Sequence, residues 1–342
     1  MAKINLLTIH WGNSYGGTMQ TYATKKILES LNHEVKVINL VHPKFKNELL
    51  LALHKSKALF IMTCWFYLFR MKYHFNLTRR MYGINVKYLP KCDYCIVGCD
   101  QVWNRDITSN INKSYFLDFD KNVPKVSLAS SFGKGCWNED EEYTLWVRKQ
   151  LKSFKAISVR EDSGVKICQN IFGVNAIQLI DPTIAWGKYD SIIKDKSVFH
   201  QVYPFLLVKN AETSLICNKV SEYLNLPLYL PTGVRHFLFQ SPKEWLRRMK
   251  NSDFIVTDSF HGLAFCLIFH KRFIVLCANV DKFTRLMSLL RLVHLEERYV
   301  KDINYLDEHI EILNKRIDYT FVDRIFESER EKYINFIKEN IQ

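Results

Sequence analysis

The sequence predicts an α/β protein built of two Rossmann-like domains. Short β-branched and apolar runs of strand length alternate with segments of helical period along most of the chain. At 342 residues the chain is longer than one hydrophobic core usually serves, so two domains are expected. The alternation breaks between His42 and Tyr88 and then resumes, which marks that stretch as an insertion.

Lys3 to Ile9 reads as the first strand, and His10 to Gly17 as a polar, glycine-bearing loop. Thr18 to Leu31 has helical periodicity, with Met19, Tyr22, Ala23, Ile27, Leu28 and Leu31 apolar, and Glu34 to Leu40 is a second strand. The loop lacks the full G-x-G-x-x-G fingerprint, so it is weak support for a dinucleotide. Gly16 and Gly17 would let the backbone approach a ligand, or simply make a tight turn.

Within the insertion, Ala58 to Phe69 is almost wholly apolar, yet shorter than the roughly eighteen residues that span a bilayer. Lys55 and Lys57 precede it, and Arg70 and Lys72 follow it. Two readings stand: a helix lying in a membrane interface, or a core helix with basic ends. Asp93 to Gly98 returns to a buried strand. The loop after it carries Asp100, Gln101 and Trp103, a mixture of polar groups and an aromatic face that suits a sugar. Lys125 to Ala129 is the next strand and Glu139 to Leu151 a helix.

A second round of strands is read at Ala156–Val159, Asn175–Ile180, Phe205–Lys209, Pro227–Leu230, Phe254–Thr257 and Arg272–Leu276, with helical segments between them. The domain boundary is placed near Ser153, although no Gly/Ser-rich linker marks it. This gives a first domain over 1–153 with the insertion at 42–88, a second over 154–320, and a final helix over 321–342 that is expected to cross back onto the first domain.

The stretch Phe254 to Phe273, FIVTDSFHGLAFCLIFHKRF, carries the most chemistry. A buried strand, an Asp258-Ser259 turn with N-cap character and an apolar helical run place His261 where a strand ends and a helix begins. Ligands gather at the carboxyl ends of parallel strands, and helix N-termini favour anions. The competing reading is structural, with Ser259 capping the helix and His261 packing on the sheet.

Nine cysteines in a chain that begins without a signal-like segment are expected to be reduced thiols. The Cys92, Cys95, Cys99 spacing lacks a fourth ligand, so no metal is expected. Forty-eight Lys and Arg against thirty-five acids give a net charge of +13. From Val41 to Lys91 ten are basic and only Glu48 is acidic, so nine of the thirteen excess charges lie there. A localised basic zone points to an anionic surface or ligand.

Taken in order, these pieces resemble the polysaccharide pyruvyl transferase family, in which an S-F-H-G or S-R-x-H-G element follows a buried strand. The other matching pieces are Asn13 with Gly16, Gly17 and Gln20-Thr21-Tyr22-Ala23; Asp100 to Asn104; Tyr115 to Phe119; Ser130 to Gly133; Val159-Arg160-Glu161; and Asp181-Pro182-Thr183. The resemblance runs from about Leu6 to Arg291. It implies a fold similar to GT-B glycosyltransferases, with two Rossmann-like domains facing across a cleft. It also implies phosphoenolpyruvate as co-substrate, no other cofactor, and a pyruvate ketal formed across two sugar hydroxyls with release of phosphate.

Such a donor carries a phosphate and a carboxylate and needs cations to hold it. Arg160 follows a strand directly, and its planar fork matches either group. Lys282 and, one turn on, Arg285 follow the strand ending at Leu276, and Ser259 and Gly262, at the helix N-terminus, are candidate donor contacts with them. His261 is the candidate general acid for the donor's methylene carbon; a bound trianion would favour its protonated form. Asp181 is a secondary candidate base. Asn13, Gly16, Asp100 and Gln101, at strand ends of the first domain, are the candidate acceptor contacts. The protein is expected in the cytoplasm, with a lipid-linked sugar as acceptor and an anionic membrane surface as a candidate partner for the basic apolar segment.

The first rival is a glycosyltransferase of the same fold that uses a nucleotide sugar. A nucleic-acid-binding module would explain the charge, but no zinc-finger, RRM or helix-turn-helix pattern is present. A non-catalytic membrane scaffold would bind lipid without turnover.

Overall fold

The computed structural model describes residues 1–73, 75–119, 122–194, 197–230, 241–277 and 280–342. The chain forms two compact units, Met1–Trp186 with Glu327–Gln342, and Gly187–Phe326.

The first unit is built on strands β1 (Lys3–Leu7), β2 (Glu34–Val37), β3 (Tyr94–Val97), β4 (Lys125–Ser130), β5 (Ala156–Val159) and β6 (Ile177–Gln178). They form one six-stranded sheet in the order β2-β1-β3-β4-β5-β6, and every pairing is parallel. Parallel sheets covered on both faces read as continuous apolar runs, which is why β1 and β3 were legible. Helix α1 (Tyr15–Ser30) links β1 to β2, and α4 (Glu141–Leu151) lies between β4 and β5.

That last connection corrects the boundary expected near Ser153. Val126 pairs with Ala156 and Ser127 with Ile157, so a cut at Ser153 would sever a strand-helix-strand crossover within one sheet. The units divide after Trp186 instead. Arg160 and Asp181, expected in the second domain, therefore belong to the first.

The insertion contributes α2 (Glu48–Lys55) and α3 (Lys57–Lys72). Helix α3 buries Thr63, Phe66, Phe69 and Arg70. Phe66 meets Tyr15 with ring centroids 5.0 Å apart. Arg70 donates from Nη1 to the carbonyls of His10 and Gly12, at 3.2 and 3.1 Å, and faces Glu48 at 3.5 Å. The opposite face of α3 exposes Trp65, Leu68 and Met71. The core reading thus holds for one face of this helix, and the other face is exposed. Among the described residues, no helix is long and apolar enough to cross a membrane.

The second unit holds β7 (Phe199–Phe205), β8 (Ser252–Thr257), β9 (Arg272–Leu276) and β10 (Tyr299–Val300), in the order β10-β9-β8-β7. All three pairings are parallel. Its longer helices are α5 (Ala211–Leu224), α6 (Pro242–Asn251), α7 (Phe260–Ile268) and α8 (Val280–Leu292). The strand expected over Phe205–Lys209 lies earlier, because the amides of Leu207 and Val208 donate to the Asp258 carboxylate rather than to a neighbouring strand. The strand expected over Pro227–Leu230 reduces to one bridge, Val202 with Leu228.

Helix α9 (Tyr319–Asn340) begins in the second unit, and from Glu327 its residues belong to the first. There Arg330 Nε donates to the Ala185 carbonyl (2.8 Å), Lys155 Nζ to that of Asn340 (2.9 Å), and the Gln342 amide to the Tyr94 hydroxyl (3.3 Å).

Candidate active site

Strand β8 runs into α7 through Thr257, Asp258 and Ser259, and each has a structural task. Thr257 Oγ1 donates to the Phe205 carbonyl at 2.8 Å and accepts from the Ser259 amide at 3.2 Å. Asp258 accepts from the amides of Leu207 and Val208, at 2.6 and 2.8 Å, so one carboxylate ties the end of β7 to the end of β8. Ser259, in extended conformation, caps α7 by accepting from the Gly262 amide at 3.4 Å. Gly262 seats the first turn on the sheet. A Cβ there would lie 2.1 Å from Thr257 Oγ1 and 3.0 Å from Phe205 Cδ1.

This leaves His261 at the second helical position, half-buried, between a cap below and a wedge above. Its ring stands perpendicular to that of Phe260, with centroids 5.4 Å apart. Sequence reading assigned Ser259 and Gly262 to the donor. In the fold, the Ser259 oxygen and the Gly262 amide are engaged with each other, and their shared effect is to fix the backbone that presents His261. Lys282 and Arg285 lie in the first turns of α8, which follows β9, the strand next to β8. The Lys282 side chain is outside the described residues, and Arg285 is half-buried.

Arg160 sits at the end of β5 but is only 4% exposed. Its Nε donates to Glu161 Oε1 at 2.9 Å and its Nη1 to Asp181 Oδ2 at 2.9 Å. Desolvation opposes its charge, but the adjoining Glu161 and Asp181 outweigh that and hold it firmly protonated. Ser131 donates to Glu161, and both the amide and the hydroxyl of Thr183 donate to Asp181. Asp181 is thus a buried, saturated partner of Arg160, which removes it as a base. Burial, and then the nearby Asp181, push the Cys99 thiol well up.

The acceptor candidates lie at the ends of β1 and β3, which are neighbours in the first sheet. Asn13 donates to Thr63 of α3 at 2.9 Å. Gly16 is buried in the first turn of α1. Asp100 accepts from the Gln101 amide at 2.9 Å, and Gln101 Oε1 accepts from Asn104 at the same distance. Trp103 is corrected from sugar platform to core. It is 1% exposed, stacks on Phe116 at 5.6 Å and donates to the Tyr115 carbonyl.

The same end of the first sheet holds a residue that sequence reading passed over. His10 is buried beside a cavity of about 660 Å³ lined also by Trp11, Asn39, Glu48, Arg70 and Arg80. Burial lowers its pKa to about 4, against the hydrogen bonds to Asn39 and Thr8. The ring is therefore neutral, and its single N–H lies between two acceptors, the Thr8 carbonyl 3.2 Å from Nδ1 and Asn39 Oδ1 3.0 Å from Nε2. Its only sequence signal was a polar residue just past a strand end. Among the described residues, no group of three or more His, Cys, Asp or Glu is placed to hold a metal ion.

Among solved structures, Arabidopsis thaliana UGT89C1 complexed with UDP-L-rhamnose superposes with a TM-score of 0.53 at 9% identity, covering 98% of both chains. The glycotransferase of kitacinnamycin gives 0.49 at 13% identity, over 100% of this chain and 99% of that one. An uncharacterized protein of Klebsiella pneumoniae gives 0.49 at 11%, over 87% and 93%. At such identities the likeness concerns fold alone, and it is that of GT-B glycosyltransferases, with two Rossmann-like domains. No curated protein matches the chain. The family profile described as polysaccharide pyruvyl transferase matches residues 15–276. That span takes in α1, the Asp100 loop, Arg160 and the whole of the Ser259–Gly262 turn, and the chain belongs to the polysaccharide pyruvyl transferase family, as a transferase.

Proposed function

We propose that the protein transfers pyruvate from phosphoenolpyruvate to two hydroxyls of one sugar in a surface-polysaccharide precursor, giving a cyclic ketal and inorganic phosphate. The observation that carries this reading is the capped turn after β8, which fixes His261 at a helix N-terminus within the family-matched span. Helix N-termini favour an anionic ligand, and an imidazole beside one is suited to deliver a proton.

In this scheme His261 protonates the methylene carbon of the donor. The first sugar hydroxyl adds to the neighbouring carbon, its proton restoring His261. The bond from that carbon to the phosphate oxygen breaks. The second hydroxyl then closes the ring, and its proton leaves with phosphate. Lys282 and Arg285 bind the donor's anionic groups. The buried Glu161–Arg160–Asp181 arrangement supports a positioning role for Arg160 at the end of β5. Asn13, Asp100 and Gln101 meet the acceptor, which is lipid-linked and modified at the cytoplasmic face of the membrane. No cofactor beyond the donor takes part.

The test is phosphate release from phosphoenolpyruvate with a panel of lipid-linked and aryl-linked galactosides, mannosides and N-acetylhexosaminides. Acceptor-dependent release that disappears in His261→Ala supports the reading. Absence of release, together with thermal stabilisation by a nucleoside diphosphate and none by phosphoenolpyruvate, would replace it with a nucleotide-sugar transferase.

A further inference from the structure

The α2–α3 hairpin presents a surface that the proposed chemistry does not use. Among the described residues, twenty large hydrophobic side chains are exposed, and eight of them fall between Leu49 and Met71. On α3 the exposed positions Trp65, Leu68 and Met71 recur at helical spacing, with Leu68 51% and Met71 57% accessible. The face behind them, Thr63, Phe66, Phe69 and Arg70, is buried, so the stripe is held in a fixed orientation. On α2 only Ala52 is buried, and Leu50, Leu51 and Leu53 are exposed. Isolated exposed apolar residues need no explanation, but a contiguous group of this kind marks an interaction surface.

The charge around it selects the partner. Lys55 and Lys57 sit at the turn between the two helices, and Lys72 closes α3, all exposed. The segment's only acid, Glu48, is occupied by Arg70, with Arg80 at 3.9 Å. What remains outward is apolar side chains framed by lysines that, among the described residues, make no ion pair.

We propose that the α2–α3 hairpin docks on an anionic lipid bilayer, with Trp65, Leu68 and Met71 entering the interface and Lys55, Lys57 and Lys72 on its headgroups. The hairpin also walls a groove of about 400 Å³, lined by Leu51, Leu59 and Met62, with Lys44 and Lys55 also in its lining, that extends to Asn13. Docking would therefore bring a lipid-linked acceptor to the strand end where Asn13 lies. Only this last consequence rests on the proposed function.

The test uses the full chain with vesicles of phosphatidylcholine, with and without phosphatidylglycerol, in a flotation assay. The expected result is binding to the mixed vesicles only, weakening as salt rises. Lys57→Glu with Lys72→Glu is expected to lower that affinity by about tenfold or more. Trp65→Ser with Leu68→Ser should abolish flotation while leaving the far-UV spectrum unchanged. Brominated lipid should quench the wild-type tryptophan emission more than that of Trp65→Phe. Failure to float on mixed vesicles at low salt would overturn the proposal. So would a wild-type dimer that Leu68→Ser dissociates, since the stripe would then be covered by a second copy. Turnover of a water-soluble aryl glycoside, measured on the same samples, separates failure of docking from failure of the pyruvyl-transfer reading.

Discussion

The two units each turn from a strand into a helix through the same four-residue device. In the first, Ser14-Tyr15-Gly16-Gly17 opens α1; in the second, Ser259-Phe260-His261-Gly262 opens α7. In both a serine caps the helix by accepting from a glycine amide three residues on, at 3.1 Å for Gly17 and 3.4 Å for Gly262. In both that glycine is where the helix comes close to the chain that leads into it. A Cβ on Gly17 would come within 3.2 Å of the Ile9 carbonyl oxygen, and one on Gly262 within 2.1 Å of Thr257 Oγ1. The second helical position is what differs: Gly16 in one turn, His261 in the other. The serine and last glycine are thus the machinery of the turn, and the position before that glycine is where the two turns part.

The histidines near the two turns make the same point from opposite sides. His10 is buried and held neutral by its surroundings, fixed by Thr8 and Asn39. His261 is half-buried at a helix N-terminus. The first ring is fixed in its buried, neutral form, whereas the second stands where a helix N-terminus favours an anion.

The largest expected effect that would sharpen this contrast is on chemistry. His261→Gln should lower turnover by about 10²- to 10⁴-fold with an unchanged melting temperature, checked by steady-state phosphate release and calorimetry. Retained turnover would reduce the second turn to the structural status of the first. Arg160→Met should cost stability, about 3–5 kcal/mol by urea denaturation, because Glu161 and Asp181 would be left buried without their cation. A loss seen only in the Michaelis constant for the donor would make Arg160 a ligand group instead.

His10 supplies a pH test. Its pKa falls from 6.5 unfolded to about 4 folded, so between these values the unfolded chain binds more protons. Stability is complete above pH 6.5 and falls as pH drops toward 4, by up to about 3 kcal/mol. His10→Gln should flatten that part of the pH profile. Alanine at the two glycines should then separate the turns by their clearances. Gly262→Ala should cost about 3 kcal/mol and Gly17→Ala about 1 kcal/mol. Smallest are the caps: Ser14→Ala and Ser259→Ala should each cost about 1 kcal/mol. A much larger activity loss in Ser259→Ala than its stability loss explains would show that Ser259 also meets the donor.

Much of this was legible in the sequence because it is local. Strand β9 has the bounds read from the sequence, Arg272 to Leu276, and the cap at Ser259 follows from a hydroxyl placed before an apolar helical run. What was not legible depends on partners far along the chain. Nothing around Ser153 announces that β5 will pair with β4, so the boundary was misplaced by a whole crossover. The run Phe205 to Lys209 looks like a strand until Asp258, fifty residues on, takes the Leu207 and Val208 amides. Arg160 looks like a free cation at a strand end until Asp181 arrives from the next connection. Trp103 looks like a sugar platform until Phe116 and Phe132 close over it.

In the proposed function the second turn presents an acid to the methylene carbon of phosphoenolpyruvate. This step is tested most directly by running the reaction in deuterium oxide with an accepted sugar and examining the product's methyl group. One deuterium is expected in each transferred pyruvyl methyl, formed in step with phosphate release and lost with His261→Gln. A product that keeps an unprotonated vinyl group, or sugar transfer from a nucleotide donor with phosphoenolpyruvate untouched, would contradict it.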